Sequence, residues 1–259
     1  ESGQGNHQKA CLHVSLTTDE SGMVHMAEGV PKTVEAVKQI WRTAAIVCFD
    51  VDSTVVSEEG IDVLAAHCGA GEAVAEWTNK AMGGGVPFEV ALEERLKLIH
   101  PSKQQIADCV AAHPLPFTPG VPELVAALHK RGTKVFLISG GFRQMIAPVA
   151  KHLNIPESNI IANNIFFNED GSYKTFDAEE PTSRSGGKAV AIAKVKAEHG
   201  LSPIVMVGDG ATDAEACPPA DAFVGFGGVV VREKVRALTP WYVTSMADLH
   251  AELEAEPAQ

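Results

Sequence analysis

The chain has 259 residues, 45% of them hydrophobic and 21% charged, so it has the composition of an ordinary globular protein with a sizeable core. Its 33 acidic side chains outnumber the 21 basic ones, the net charge is −12 and no Lys/Arg block occurs, which argues against nucleic acid or an anionic membrane as a partner. No long apolar run and no secretory segment is present, and we expect a soluble intracellular protein.

The five cysteines form no Cys-x-x-Cys pair. An odd set without that spacing favours a reducing compartment and argues against a structural zinc site. The chain begins at Glu1 rather than at a methionine, which is consistent with the removal of a presequence. Its first residues are polar and aperiodic, and we predict a flexible extension over 1–32.

A short helix and a buried strand follow the extension. The helix is indicated by four apolar residues that recur at helical spacing, Val34, Val37, Ile40 and Trp41. The apolar run 46–49 is typical of a strand inside a parallel sheet.

Between 57 and 116 the pattern is helical throughout. Glycine and proline breaks divide this region into four predicted helices, which start near Glu58, Glu72, Pro87 and Ser102. A strand–helix–strand unit needs only about 30 residues in all. We therefore predict a small helical cap domain, inserted over 57–116 after the first strand.

Strands and helices alternate from 117 onward. We predict a helix over 123–130, another that ends near 150, a third over 188–199 and a terminal helix. The predicted strands are 135–138, 204–207, 222–224 and one near Trp241, and a small β-hairpin joins 165–167 to 173–176. This alternation predicts an α/β fold, a Rossmann-like doubly wound and mostly parallel sheet. Its core would comprise 33–56 and 117–259.

Three of the predicted strands end in polar turns, at Asp50, Ser139 and Asp209. Ligands of open α/β sheets bind just beyond the carboxyl ends of the strands. If the three strands are adjacent, these turns form one site. Taken alone, each motif also has an ordinary structural interpretation as a surface turn.

Asp50 is the candidate nucleophile, because a carboxylate can attack phosphorus and divide a hydrolysis into two easier steps. Two anions repel each other, so this chemistry needs a cation between them. Mg²⁺ prefers oxygen ligands, and Asp50 with Asp209 could supply them. Asp52 would then act as general acid and later as general base, helped by a pKa that burial and other carboxylates raise.

Ser139, Gly140 and Gly141 offer a hydroxyl and closely approaching backbone N–H groups to a phosphate. Lys188 follows two glycines at the start of a predicted helix and would bring a positive charge to the same oxygens; its alternative is a solvated surface position. Asp213 would contact a metal indirectly, orient Thr212 and Lys188, or serve the structure alone.

The sequence does not contain other common phosphate-binding or hydrolytic motifs. The residues around Lys188 depart from a P-loop, with Thr182 in place of the first glycine and Ala189 in place of Ser/Thr. Gly208-Asp209-Gly210 is only half of a dinucleotide fingerprint. The sequence contains neither Gly-x-Ser-x-Gly nor His-Glu-x-x-His.

Four segments in one order resemble the motifs of the haloacid dehalogenase superfamily. They are Asp50-Val51-Asp52-Ser53-Thr54, Ser139-Gly140-Gly141, Lys188 after two glycines, and Gly208-Asp209-Gly210-Ala211-Thr212-Asp213. The segments 49–55, 58–62, 81–84, 86–88, 139–143 and 214–216 together are similar to the members that hydrolyse O-phospho-L-serine. The similarity spans about residues 36 to 250.

The resemblance implies a Mg²⁺-dependent reaction that passes through an aspartyl-phosphate. In it, Asp50 matches the phosphorylated nucleophile and Asp52 the acid/base. The implied metal positions are Asp50, the backbone carbonyl of Asp52, and Asp209. The implied phosphate ligands are Ser139, Gly140, Gly141 and Lys188.

The resemblance also implies a pocket for the amino-acid part of the substrate. Glu59 matches the residue that receives the ammonium group, and Arg95 the residue that binds the carboxylate. Met82, Gly83 and Thr212 would line this pocket. One anionic side chain can bind the ammonium group of an amino acid, and one bidentate cation can bind its carboxylate.

Several expectations about context remain. The segments 144–146 and 182–185 look more like plant and algal forms, which favours the plastid stroma, with the cytoplasm as the alternative. The only partner implied is the small-molecule substrate, phosphoserine, and a homodimer is left open. The alternatives are a phosphatase or phosphotransferase for another small phosphomonoester, a binding module without activity, and a partner-binding arm in residues 1–30.

Overall fold

The computed structural model describes residues 17–18, 24–25, 30–82 and 86–255. The predicted extension over 1–32 thus falls almost entirely outside the described residues. Within that stretch the strands β1 (Thr17–Thr18) and β2 (Val24–His25) pair antiparallel.

The remaining elements alternate as the sequence predicts. The further strands are β3 (Ile46–Phe49), β4 (Lys134–Phe142), β5 (Ile160–Asn163), β6 (Ile165–Phe167), β7 (Tyr173–Phe176), β8 (Ile204–Gly208), β9 (Ala222–Phe226) and β10 (Tyr242–Val243). The helices are α1 (Val34–Arg42), α2 (Gly60–His67), α3 (Gly71–Met82), α4 (Phe88–Ile99), α5 (Lys103–Ala112), α6 (Val121–Lys130), α7 (Arg143–His152), α8 (Gly187–His199), α9 (Ala211–Ala214), α10 (Glu233–Arg236) and α11 (Met246–Glu254).

The central sheet has six strands in the order β10-β9-β8-β3-β4-β5, and its neighbours pair in parallel. β3 lies between β8 and β4, so the three strands that carry Asp50, Ser139 and Asp209 are neighbours. The strand predicted to end at Ser139 runs on to Phe142, however, and Ser139 lies inside it, where the register shifts between Ile138 and Phe142. The predicted doubly wound α/β fold is therefore confirmed, and so is the small antiparallel hairpin, which β6 and β7 form.

The four residues of β3 are fully buried because helices cover both faces of the sheet. Successive side chains of a strand point to opposite faces. Accordingly Val47 and Phe49 pack in the apolar cluster on one face, with Trp41 of α1, while Ile46 and Cys48 pack in the cluster on the other. This burial on both faces explains why the sequence of the strand is an unbroken apolar run.

Helices α2 to α5 lie between β3 and β4 and share an apolar cluster of their own, which includes Leu64, Leu92 and Leu96. The chain enters and leaves this region through paired backbone. The Ser57 amide donates to the Pro116 carbonyl at 3.0 Å, and the Thr118 amide donates to the Val55 carbonyl at 3.0 Å.

From residue 30 onward, three elements were not predicted: the edge strand β5 and the short helices α9 and α10. β5 ends the sheet beside β4, with a shift of register before Phe142. Within the described ranges, no helix combines the length and the hydropathy that crossing a bilayer requires.

Candidate active site

The carboxyl end of β3 carries Asp50 and then a tight turn over Val51–Val55. The Asp50 amide donates to the Val207 carbonyl of β8 at 2.9 Å, which extends the sheet pairing to this residue. Ser53 has φ 56°, in the left-handed region that non-glycine residues seldom adopt. The turn brings Asp50 and Asp52 to the same end of the sheet.

Asp50 is buried, with 8% of its surface exposed. Its Oδ1 accepts a hydrogen bond from the Val51 amide at 2.7 Å and lies 2.8 Å from the Lys188 ammonium. Two fixed donors thus orient the carboxylate through one oxygen, and Oδ2 is left for chemistry.

The Asp52 carboxyl group is held differently, in a narrow space between two glycines. Its Oδ1 accepts a hydrogen bond from the Gly60 amide at 2.7 Å, and its Oδ2 lies 3.5 Å from the Ser139 hydroxyl. A Cβ atom on Gly141 would come within 2.8 Å of Oδ2, so only glycine fits there. Burial, reinforced by the charge of Glu59, raises the pKa of Asp52 to about 8.

Lys188 lies at the start of α8 and forms a second ion pair, at 2.6 Å, with Oδ1 of the fully buried Asp213. The other oxygen of Asp213 accepts from the Gly210 amide at 2.9 Å. Burial, and then the charge of Asp50, raises the pKa of Asp213. With both oxygens in use, this geometry favours the interpretation in which Asp213 orients Lys188.

Three aspartates, Asp50, Asp209 and Asp213, each offer an oxygen within 4.8 Å of the others and could hold a metal ion. The Asp209 carboxylate accepts from the Thr54 hydroxyl at 3.3 Å and pairs with Nε of Arg232 at 2.9 Å. All the donors are carboxylate oxygens, the ligands preferred by hard divalent cations such as Mg²⁺. The cluster therefore fits such an ion.

The irregular part of β4 between Ile138 and Phe142, where the register shifts, forms the third side of the site. Ser139 is fully buried, and its hydroxyl accepts from the Gly141 amide at 2.8 Å. The phenyl ring of Phe88 covers Gly140 so closely that a Cβ there would come within 2.7 Å of the ring. The start of α4 thus covers the candidate phosphate loop.

Glu59 and Arg95 approach the site from the helices between β3 and β4. The Ser53 hydroxyl donates to Glu59 at 2.8 Å, and burial raises the pKa of this carboxyl group. Arg95 lies on α4 with only 7% of its surface exposed. The charges of Glu59 and Asp52 both act on its guanidinium, whose pKa burial lowers.

Three other residues were expected to line the pocket, and the structure describes two of them. Met82 is the last residue of α3, and Gly83 lies outside the described residues. Thr212 is half-buried in the first turn of α9, next to Asp213.

Two residues near the site were not predicted. Arg232 follows β9, the neighbour of β8, so its place beyond a strand end was the available signal. Phe88 directly follows a proline at the start of a predicted helix, and nothing in that pattern indicates which loop its ring covers.

The raised pKa values of Asp52, Glu59, Asp209 and Asp213 predict how stability depends on pH without metal. Between about pH 4 and 8 the folded state binds more protons than the unfolded state, so the free energy of unfolding falls as pH rises. We expect a loss of at least about 2 kcal/mol from pH 5 to 8, measured by urea unfolding in chelator.

The Asp52→Asn variant is the control for this pH dependence, because it removes one of the four titrations. Its stability should fall less steeply over the same range. Unfolding free energies that rise from pH 5 to 8 would contradict the assignment of raised pKa values.

Comparisons with known proteins identify the family of this chain. The family model of haloacid dehalogenase-like hydrolases matches residues 44–221. The phosphoserine phosphatase of Homo sapiens is 52% identical over 84% of this chain and 96% of that protein. The chloroplastic phosphoserine phosphatase of Arabidopsis thaliana is 46% identical over 94% of this chain and 84% of that protein.

A solved structure, DsGPDH of Dunaliella salina, superposes with a TM-score of 0.75 at 35% identity. The match covers 86% of this chain and 38% of that protein, so this chain corresponds to less than half of it. The family match includes Asp50, Ser139, Lys188 and Asp209, the residues around which the site is built. The chain therefore belongs to the haloacid dehalogenase-like hydrolases.

Proposed function

We propose that this hydrolase converts O-phospho-L-serine to L-serine and phosphate with Mg²⁺, as the last step of a phosphorylated pathway to serine. The names of the Homo sapiens and Arabidopsis thaliana relatives support this substrate. The observation that carries the proposal is the pair of opposite charges, Glu59 and Arg95, beside the aspartates at the end of β3. A phosphate would meet Lys188, while an amino-acid group would meet these two side chains.

Oδ2 of Asp50 would attack phosphorus as the bond to the serine oxygen breaks, and Asp52 would give its proton to that oxygen. An aspartyl-phosphate on Asp50 results. Asp52, now ionised, would take a proton from the water that attacks this phosphate, which releases inorganic phosphate and restores both carboxyl groups. The raised pKa of Asp52 supports this role, because the group carries a proton at neutral pH.

The charge of the phosphoryl group would be balanced by groups of this chain. Lys188 is held between Asp50 and Asp213, and the Ser139 hydroxyl and Gly140 amide belong to β4, the strand next to β3. The Gly141 amide is engaged by the Ser139 hydroxyl, so we assign it to orienting that hydroxyl. Mg²⁺ held by Asp50, Asp209 and the Asp52 carbonyl would neutralise charge between the carboxylates and the phosphate.

We also propose that 57–116 form a cap over a core of 33–56 and 117–259. The paired backbone at Val55–Thr118 and Ser57–Pro116 supports these boundaries, because the insertion enters and leaves at one place. Phe88 over Gly140 supports closure of the cap on the phosphate loop. Closure would exclude water from the phosphorylation step.

The plastid stroma is our proposed location, supported by the chloroplastic relative. Fluorescence microscopy of the full-length gene product, tagged at its C-terminus and expressed in plant cells, tests it: we expect fluorescence in plastids, and fluorescence confined to the cytoplasm would contradict this location. A homodimer stays a prediction that sedimentation equilibrium can test.

Phosphate release from phosphoserine and a panel of other small phosphomonoesters, each with Mg²⁺ and with chelator, tests the proposed function. We expect phosphoserine to give the highest kcat/KM and chelator to abolish turnover. A higher kcat/KM for another phosphomonoester would reassign the substrate.

Arg95→Met should lower kcat/KM for phosphoserine about 100-fold, because the carboxylate of the bound substrate loses a charged hydrogen-bond partner. An aryl phosphate, which has no carboxylate, should be affected far less. Equal losses for both substrates would count against the amino-acid pocket.

A further inference from the structure

The guanidinium of Arg95 uses only part of its hydrogen-bonding capacity. Its Nε donates to the Ala91 carbonyl at 3.0 Å, and one terminal nitrogen donates to the Thr78 hydroxyl at 3.4 Å. In the described part of the chain, no carboxylate forms a salt bridge with it. A guanidinium has five N–H donors, so three remain for a ligand.

Thr78 links Arg95 to a carboxylate on a third helix. The Thr78 side chain is 6% exposed, and its hydroxyl donates to Oδ1 of Asp62 at 2.9 Å. Arginine can only donate, so the hydroxyl accepts from Arg95 and its single proton goes to Asp62. The direction of both hydrogen bonds is therefore fixed.

The three residues come from three consecutive helices, Asp62 from α2, Thr78 from α3 and Arg95 from α4. Asp62 lies one turn after Glu59, and its amide donates to the Glu59 carbonyl at 3.1 Å. Burial disfavours the charge on Arg95, and among the charges that oppose this, Asp62 acts most strongly. Asp62 thus supports the cation through the hydroxyl without occupying its free N–H groups.

We propose that Thr78 is a positioning residue for Arg95, and that its hydroxyl, oriented by Asp62, points the free N–H groups of the guanidinium toward the substrate carboxylate. This inference rests on the proposed function and adds a determinant of its specificity. A buried cation that is held by a neutral hydroxyl keeps its charge available to an incoming anion. A direct carboxylate partner would instead compete with the substrate.

The test is the Thr78→Val variant, which keeps the shape of the side chain and removes the hydroxyl. We expect KM for phosphoserine to rise about 10-fold, the lower end for a hydrogen bond to a charged group, because the bond is long. The change in kcat should be less than about 3-fold, and the preference for phosphoserine over an aryl phosphate should fall by the same 10-fold. Thr78→Ser should restore KM.

Thr118→Val is the matched control, because it makes the same change at a buried hydroxyl that has no hydrogen-bond partner among the described residues. It should leave kcat and KM unchanged for both phosphoserine and the aryl phosphate. Asp62→Leu is the second variant if Thr78→Val does not fold. It removes the acceptor that orients the Thr78 hydroxyl, and it should raise KM for phosphoserine in the same selective way.

An unchanged KM in Thr78→Val, or an equal rise for both substrates, would overturn the positioning role. Failure of the proposed function looks different, because the unmodified protein would then show no preference for phosphoserine. The two outcomes are therefore separable in one set of assays.

Discussion

Replacing Asp50 with asparagine should reduce phosphate release at least about 10⁴-fold and leave the fold intact. The amide oxygen of asparagine can still accept the hydrogen bonds from the Val51 amide, at 2.7 Å, and from Lys188, at 2.8 Å. The attacking Oδ2, by contrast, becomes a nitrogen that cannot form the acyl-phosphate. The variant therefore removes the nucleophilic oxygen and keeps the hydrogen bonds that hold the side chain in place.

The fold should tolerate this change because Asp50 lies among other carboxylates. Its charge raises the pKa values of Asp209 and Asp213, so removing it relieves repulsion even as one ion pair is weakened. We expect the midpoint of thermal unfolding in chelator to stay within a few degrees of the parent value.

Acid quenching after mixing with ³²P-labelled phosphoserine measures the covalent intermediate directly. The parent protein should retain label, and Asp50→Asn should retain none. Asp170→Asn is a matched control, since Asp170 is exposed in the hairpin turn. Retained hydrolysis in Asp50→Asn would assign the nucleophile elsewhere.

The sheet and the position of the site could be predicted because their signals are local. The unbroken apolar run of β3 follows from burial on both faces, and strand ends carry ligands in this fold class. Asp50 and Asp209 stand at such ends, Ser139 lies in the irregular last part of β4, and the strand order brings the three together. β5 was missed because it is a short edge strand that ends in asparagine.

The contacts that distinguish the individual carboxylates could not be predicted, because they depend on how helices pack. Thr78, Asp62 and Arg95 are far apart in sequence, and helical spacing places each on its own helix without showing which side chains meet. Arg232 reaches Asp209 from a loop with no regular pattern. The left-handed backbone of Ser53 has no sequence signal either, since glycine usually takes that conformation.

The structure also gives the two aspartates of one turn unlike surroundings. Asp50 forms an ion pair with the ammonium of Lys188, at 2.8 Å, through its Oδ1. Asp52 lies between Gly60 and Gly141, Lys188 forms its ion pairs with Asp50 and Asp213 instead, and burial raises the pKa of Asp52 to about 8. Pairs of acids whose environments differ in this way can divide nucleophile and proton-transfer roles between them.

Asp52→Asn should therefore impair both chemical steps, and the loss in the first step should depend on the leaving group. Serine is a poor leaving group and needs the proton from Asp52, so kcat for phosphoserine should fall about 10³-fold. An aryl phosphate leaves as a weakly basic phenolate, and its first step should be slowed far less. Attack of water on the aspartyl-phosphate still needs a base, so this second step should be slow for both substrates.

A rapid-mixing experiment with p-nitrophenyl phosphate separates these steps. Asp52→Asn should give a burst of nitrophenolate close to one equivalent of protein, followed by slow turnover, because the phosphorylated protein accumulates. Asp50→Asn should give no burst. The side chain of asparagine can keep the hydrogen bond from Gly60, at 2.7 Å in the parent, so the turn that carries both residues is preserved. Equal slowing of both substrates without a burst would show that Asp52 does not transfer the protons, and the role would then pass to another group within reach of the serine oxygen.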